Sequence, residues 1–74
     1  MTKGEKKPLY EVVILETEYD RYLLMDLGQK CYEIVPEYEN DGYSKRWFTE
    51  EEIKAIDERF WQFAVFVPEK VYEQ

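Results

Sequence analysis

Residues 46–68, RWFTEEEIKAIDERFWQFAVFVP, hold both tryptophans and all four phenylalanines of the 74-residue chain. Aromatic rings remove the most area from water per residue ordered, so a core in a chain this short has to be organised around this stretch. Three signals start a helix at one place inside it. Thr49 is an N-cap whose hydroxyl can accept from an unpaired backbone donor. Glu52, three residues on, completes a capping box, and Phe48 with Ile53 have the spacing of a hydrophobic staple. Glu50, Glu51 and Glu52 put negative charge at the positive end of the helix, Arg59 lies near the negative end, and Glu50 can reach Lys54 one turn on. Ile53, Ile56 and Phe60 fall on one face of a helix of about three turns, which must pack on something because so short a helix is marginal alone. These carboxylates are accounted for by helix-start chemistry, which leaves little reason to read them as a catalytic or metal cluster.

Upstream, residues 9–17 (LYEVVILET) form the clearest strand signal. Tyr10, Val12 and Ile14 face one way and Val13 and Leu15 the other, so both faces require cover. Residues 18–21 make a polar turn, 22–27 (YLLMDL) a second strand, Gly28 and Gln29 a reversal, and 31–35 (CYEIV) a third strand stopped by Pro36. Residues 37–44 (EYENDGYS) are the most exposed loop, with Asp41 and Gly42 a hairpin-turn dipeptide. Residues 45–48 are a fourth strand leading into the helix, and 62–67 (QFAVFV) a fifth, in which Phe63, Val65 and Val67 share one face. Tyr72 would dock or fray beyond Pro68. The expected class is therefore α+β, a small curved antiparallel sheet or partly open barrel in the order β-β-β-β-α-β. The alternative is a flatter sheet with the helix across one face. Residues 1–8 are expected to be a flexible tail and 9–74 a single domain.

Charge narrows the partners. The chain carries 17 acids against 10 bases, a formal charge of −7. Three lysines and one acid make residues 1–8 net +2. Four bases against nine acids make residues 9–49 net −5, and three against seven make residues 50–74 net −4. Such a surface repels a phosphate backbone and favours basic partners. No apolar run reaches membrane-span length and the N-terminus lacks the apolar block of a signal peptide, so a cytoplasmic location is expected. The single cysteine, Cys31, excludes an intrachain disulfide; its strand setting predicts a buried structural thiol.

No enzyme is expected. With no histidine in the chain, Ser-His-Asp and Cys-His arrangements and histidine metal sites are excluded. Gly4, Gly28 and Gly42 are isolated, so there is no phosphate-cradling loop. Glu37, Glu39, Asp41 and Gly42 match calcium-loop positions 1, 3, 5 and 6, but Phe48 stands where a bidentate glutamate belongs. Catalytic, cofactor and metal sites are all read as none. Tyr43, Lys45, Arg46, Trp47 and Phe48 interleave bases with aromatics as stacking platforms do. On a strand, though, Arg46 and Phe48 face opposite to Lys45 and Trp47, and a core Trp47 between two solvated bases is the plainer reading. A protein-binding role suits the composition better. Tyr19, Tyr38 and Tyr43 would supply amphipathic contact area, and Glu37, Glu39 and Asp41 would steer a basic protein partner. A narrower version has the acids, including Glu11, Glu33 and the helix carboxylates, form rows that imitate nucleic acid. The remaining alternatives are a nucleic-acid-binding accessory protein and a structural domain with no activity of its own; self-association is left open.

Residues 48–69, FTEEEIKAIDERFWQFAVFVPE, resemble the C-terminal end of a family of uncharacterised proteins encoded by temperate phages of streptococci, lactococci and related Gram-positive bacteria. Thr49, Glu52, Ile53, Lys54, Asp57, Arg59, the pair Phe60 and Trp61, and Phe63, Ala64 and Val65 carry the resemblance. Gln62 and Phe66 depart from it, since proline is frequent after the tryptophan or within the last strand of family members. The resemblance implies a phage or prophage accessory protein expressed inside a bacterium, and it brings no established activity and no assigned active-site residues. It also implies that Asp57 and Arg59 fix the helix exit while Trp61 plugs the core below.

Overall fold

The capping box forms as its spacing predicts. In the computed structural model, which describes residues 7–39 and 44–69, Thr49 Oγ1 accepts from Glu52 N (3.2 Å) and Glu52 Oε1 accepts from Thr49 N (2.9 Å). The helix they start, α1 (Glu50–Ile56), is seven residues long, two turns rather than three. It stops because Asp57 takes an extended conformation and caps a separate 3-10 segment, Glu58–Phe63. Asp57 Oδ1 accepts from Arg59 N at 3.0 Å, and the Arg59 guanidinium closes back on both Asp57 oxygens at 3.0 and 2.7 Å. These bonds hold the Asp57 carboxyl down to about 2. The helix exit is thus fixed by Asp57 and Arg59. Lys54 reaches Glu50 at 2.7 Å as expected. Replacing Thr49 by alanine strands the Glu52 N–H and is expected to lower stability by about 1 kcal/mol; a shift in the urea midpoint at constant slope measures it.

Three strands precede the helix and one follows: β1 (Leu9–Glu16), β2 (Arg21–Gly28), β3 (Cys31–Pro36) and β4 (Ala64–Val67). They pair antiparallel in the order β3-β2-β1-β4, an open sheet that does not close into a barrel. Residues 45–48 are not a regular fourth strand. The β1–β2 ladder slips between Val13 and Leu15, and only Val13 through Glu16 pair with β2. Residues 45–48 bridge the two strands on the other side of that slip. Lys45 exchanges both backbone bonds with Asp26 of β2 (2.8 and 3.0 Å), and Phe48 does the same with Tyr10 of β1 (2.8 and 2.9 Å). The segment therefore acts as a wedge that satisfies backbone groups on two diverging strands. The last strand begins at Ala64 instead of Gln62, because Gln62 and Phe63 complete the 3-10 segment.

One face of the sheet carries the main core. Val12, Leu24, Phe48 and Ile53 are fully buried together, with Tyr10, Ile14, Ile56, Phe60, Trp61 and Ala64 packed around them. Tyr10, Val12 and Ile14 thus share a face as their alternation requires, and Trp61 meets Tyr10 edge-on at 4.9 Å. Leu23 and Met25 alternate with Leu24 and are also fully buried, so β2 is covered on both faces. Phe63, at the end of the 3-10 segment, and Phe66, on the edge strand β4, are by contrast exposed. Cys31 is exposed as well, on the opposite edge, and is not a buried structural thiol. Gly28, Gln29 and Lys30 all have positive φ in the β2–β3 turn, a conformation that glycine adopts freely and that costs the other two residues some strain. The tail before Lys7, the Asp41–Gly42 hairpin and Tyr72 lie outside the described residues.

Candidate functional site

Glu11 sits in the middle of β1 with its side chain only 10% exposed. A carboxylate in that position has to be paired. Arg21 Nη2 lies 3.0 Å from Glu11 Oε1, Trp47 Nε1 donates to Oε2 at 3.1 Å, and Arg46 Nε lies 3.8 Å from Oε2. Glu37 closes the set from the 3-10 turn that follows β3 (Glu37–Glu39). It takes both Arg21 donors in a fork, at 3.1 and 3.0 Å, and Arg46 Nη1 at 3.1 Å. Two arginines thus alternate with two glutamates, and the Arg46 guanidinium lies 5.4 Å from the Trp47 ring. The Arg21 bonds hold the Glu37 carboxyl below the ordinary glutamate range although burial pushes the other way, and the Arg21 guanidinium is raised in turn. Arg46 and Trp47 therefore converge on one carboxylate, and neither the alternation of faces nor the solvated Arg46 expected from sequence holds. Trp47 is half-buried against this cluster, outside the main core. The four charges cancel and lock the wedge to the sheet, which is structural chemistry.

The cluster also positions the exposed end of the molecule. Asp20 Oδ1 accepts from Arg21 N (2.8 Å) and Asp20 Oδ2 from Tyr38 N (3.2 Å), which ties the β1–β2 turn to the 3-10 turn after β3. Thr17 Oγ1 accepts from the N–H groups of Tyr19 and Asp20, both at 3.1 Å, and shapes the first turn. Tyr19 and Tyr38 are brought to the same end of the sheet in this way and are 88% and 75% exposed. Glu39 is exposed beside Tyr38, and Glu18 beside Tyr19. Among the described residues neither carboxylate has a cationic partner, whereas Glu37 is spent internally on Arg21 and Arg46. Asp41 and Tyr43, the other two residues named from the sequence, lie outside the described residues. The sequence does carry one signal for the ion cluster: a glutamate in the centre of an otherwise apolar strand requires a buried partner.

Little else offers chemistry. Among the described residues no group of three or more cysteines and carboxylates is placed to hold a metal ion, and no helix is long and apolar enough to cross a membrane. Glu11, named among the acids of a nucleic-acid-like row, is buried, and Glu50 and Glu52 are each paired with a lysine.

The family of proteins described as "Protein of unknown function (DUF1642)" matches residues 4–71 of the chain. The chain belongs to that family. No curated protein and no solved structure matches it. DUF1642 is a small domain associated with phages and prophages, so the resemblance seen over residues 48–69 reaches back across the first three strands. In this chain Asp57 and Arg59 cap and brace the 3-10 segment that delivers Trp61 to Tyr10.

Proposed function

We propose that this DUF1642 chain is a non-enzymatic phage or prophage accessory protein that binds a basic surface of a host or phage protein through the end carrying Tyr19 and Tyr38. The observation that carries the reading is the Asp20 bridge, which holds two highly exposed tyrosines at one end of a four-stranded sheet. Exposed tyrosine contributes large contact area at low entropic cost and is enriched where proteins meet. Glu18 and Glu39 flank the rings without cationic partners among the described residues, and they supply the charge that draws in a basic partner.

The test compares the tagged protein with its Tyr19→Ser/Tyr38→Ser variant as bait in nuclease-treated lysate of a phage-infected Gram-positive host. Both side chains are exposed, so the variant is expected to keep its stability within about 0.5 kcal/mol. It should lose a salt-sensitive partner that the parent protein retains. Identical sets of retained proteins from the two baits would sink the proposal.

A further inference from the structure

A second feature lies at the opposite end of β2, about 20–25 Å from Tyr19 by strand length. There α1 and the β2–β3 hairpin face each other across an open cleft of about 490 Å³, inside the size range of small-molecule sites. Its existence has two causes. The helix is only seven residues long, and at the position facing the hairpin it carries Ala55, whose methyl group leaves the space unfilled. Ala55 and Ile56 form an apolar wall on the helix side and Tyr32 lines the cleft from β3, while Phe48 lies buried beneath the Lys45 ammonium, 5.4 Å from its ring. The floor is rigid, because Asp26 and Lys45 are joined there by two backbone hydrogen bonds.

Charge separates this cleft from the rest of the surface. Lys45 is paired with Glu52 at 2.9 Å, and Asp26 Oδ1 accepts from Gly28 N at 2.8 Å. Lys30, on the rim, has no ion-pair partner among the described residues. Two lysines thus balance Asp26 and Glu52 on a protein whose formal charge is −7, and one ammonium remains unspent beside an apolar wall and a phenol ring. We infer that the cleft binds a small flat anion, an aromatic ring bearing one phosphate or carboxylate, with the ring between Tyr32 and the Ala55–Ile56 wall and the anionic group on Lys30. Ring stacking and a charge-assisted contact divide the recognition between them.

The test is a two-dimensional NMR titration of the full chain with adenosine 5′-monophosphate and, separately, with indole-3-acetate, which distinguish a phosphate from a carboxylate source. Saturable shifts at Tyr32, Lys45, Ala55 and Ile56 with either probe are the expected result. Ala55→Trp, which fills the cleft from an exposed position, should abolish them. Lys30→Glu should weaken binding at least about tenfold, while the amide spectrum of each variant reports that it is folded. Shifts centred on Val65 and Phe66, shifts undiminished in Ala55→Trp, or no saturation with either probe at millimolar concentration would overturn the inference.

Discussion

Phe48→Ala is expected to lower stability by about 3–5 kcal/mol, the cost of emptying a phenylalanine site in a core that relaxes only in part. For a domain of this size, near the lower end of the ~5–15 kcal/mol that folded proteins possess, that loss leaves a large unfolded population at 25 °C. Phe48 earns this sensitivity by its position. It is fully buried with Val12, Leu24 and Ile53, it precedes the N-cap of α1, and its backbone is bonded in both directions to Tyr10. One side chain therefore joins the helix start, the wedge and the first strand. Phe66→Ala serves as the control, since that ring is 57% exposed on the edge strand and should cost less than about 1 kcal/mol. Urea unfolding followed by tryptophan fluorescence compares the two. Equal midpoints would remove Phe48 from the centre of the core.

Glu11→Ala should be the second most damaging change, at about 2–3 kcal/mol. Breaking a fully buried pair costs ~3–5 kcal/mol, and the figure is reduced here because Arg21 and Arg46 keep a quarter to a third of their side-chain surface in water. The substitution removes the Glu11 acceptor of the Trp47 N–H and the Glu11 contacts of both guanidiniums, whereas Glu11→Gln keeps an acceptor for Trp47 and should cost less. A pH series on the parent protein tests the same cluster through Glu37. Its carboxyl titrates lower in the folded chain than the ordinary 4.5, chiefly because of the Arg21 hydrogen bonds. Its contribution is therefore complete above about pH 4.5 and fades as pH falls toward the lower folded value. Glu37→Gln should flatten that part of the stability profile. An unchanged acid limb would show that the Arg21–Glu37 fork does not couple to folding.

Local signals in the sequence specify geometry in this chain, and distant ones do not. The capping box, the Phe48–Ile53 staple, the Glu50–Lys54 pair, the apolar face of β1 and the third strand all depend on residues within a few positions of each other, where spacing alone sets geometry. Phe60 continues the i, i+3, i+7 pattern and so predicts a helix of three turns; the Asp57 cap interrupts it, and a 3-10 segment presents Phe60 to the same core. Residues 45–48 have strand-like composition, but which backbones they pair with depends on where β1 and β2 part. The strand-forming neighbours of Cys31 predict burial, yet Cys31 lies exposed on the edge strand β3.

The candidate sites divide in the same way. Tyr19, Tyr38 and Glu39 could be named as exposed residues from their turn-rich surroundings, but their arrangement at one end rests on an Asp20 bond spanning 18 positions. Glu37 looks the same as Glu39 in the sequence and differs from it in the fold, where two arginines neutralise it. By itself the sequence determined the class and the start of the helix, because periodicity and capping act over one or two turns. Only the tertiary structure decided which carboxylates are spent internally, which aromatics reach water and where a cleft remains open. Those outcomes depend on strand order and on the point where β1 and β2 separate, which bring together residues such as Glu11 and Trp47, 36 positions apart.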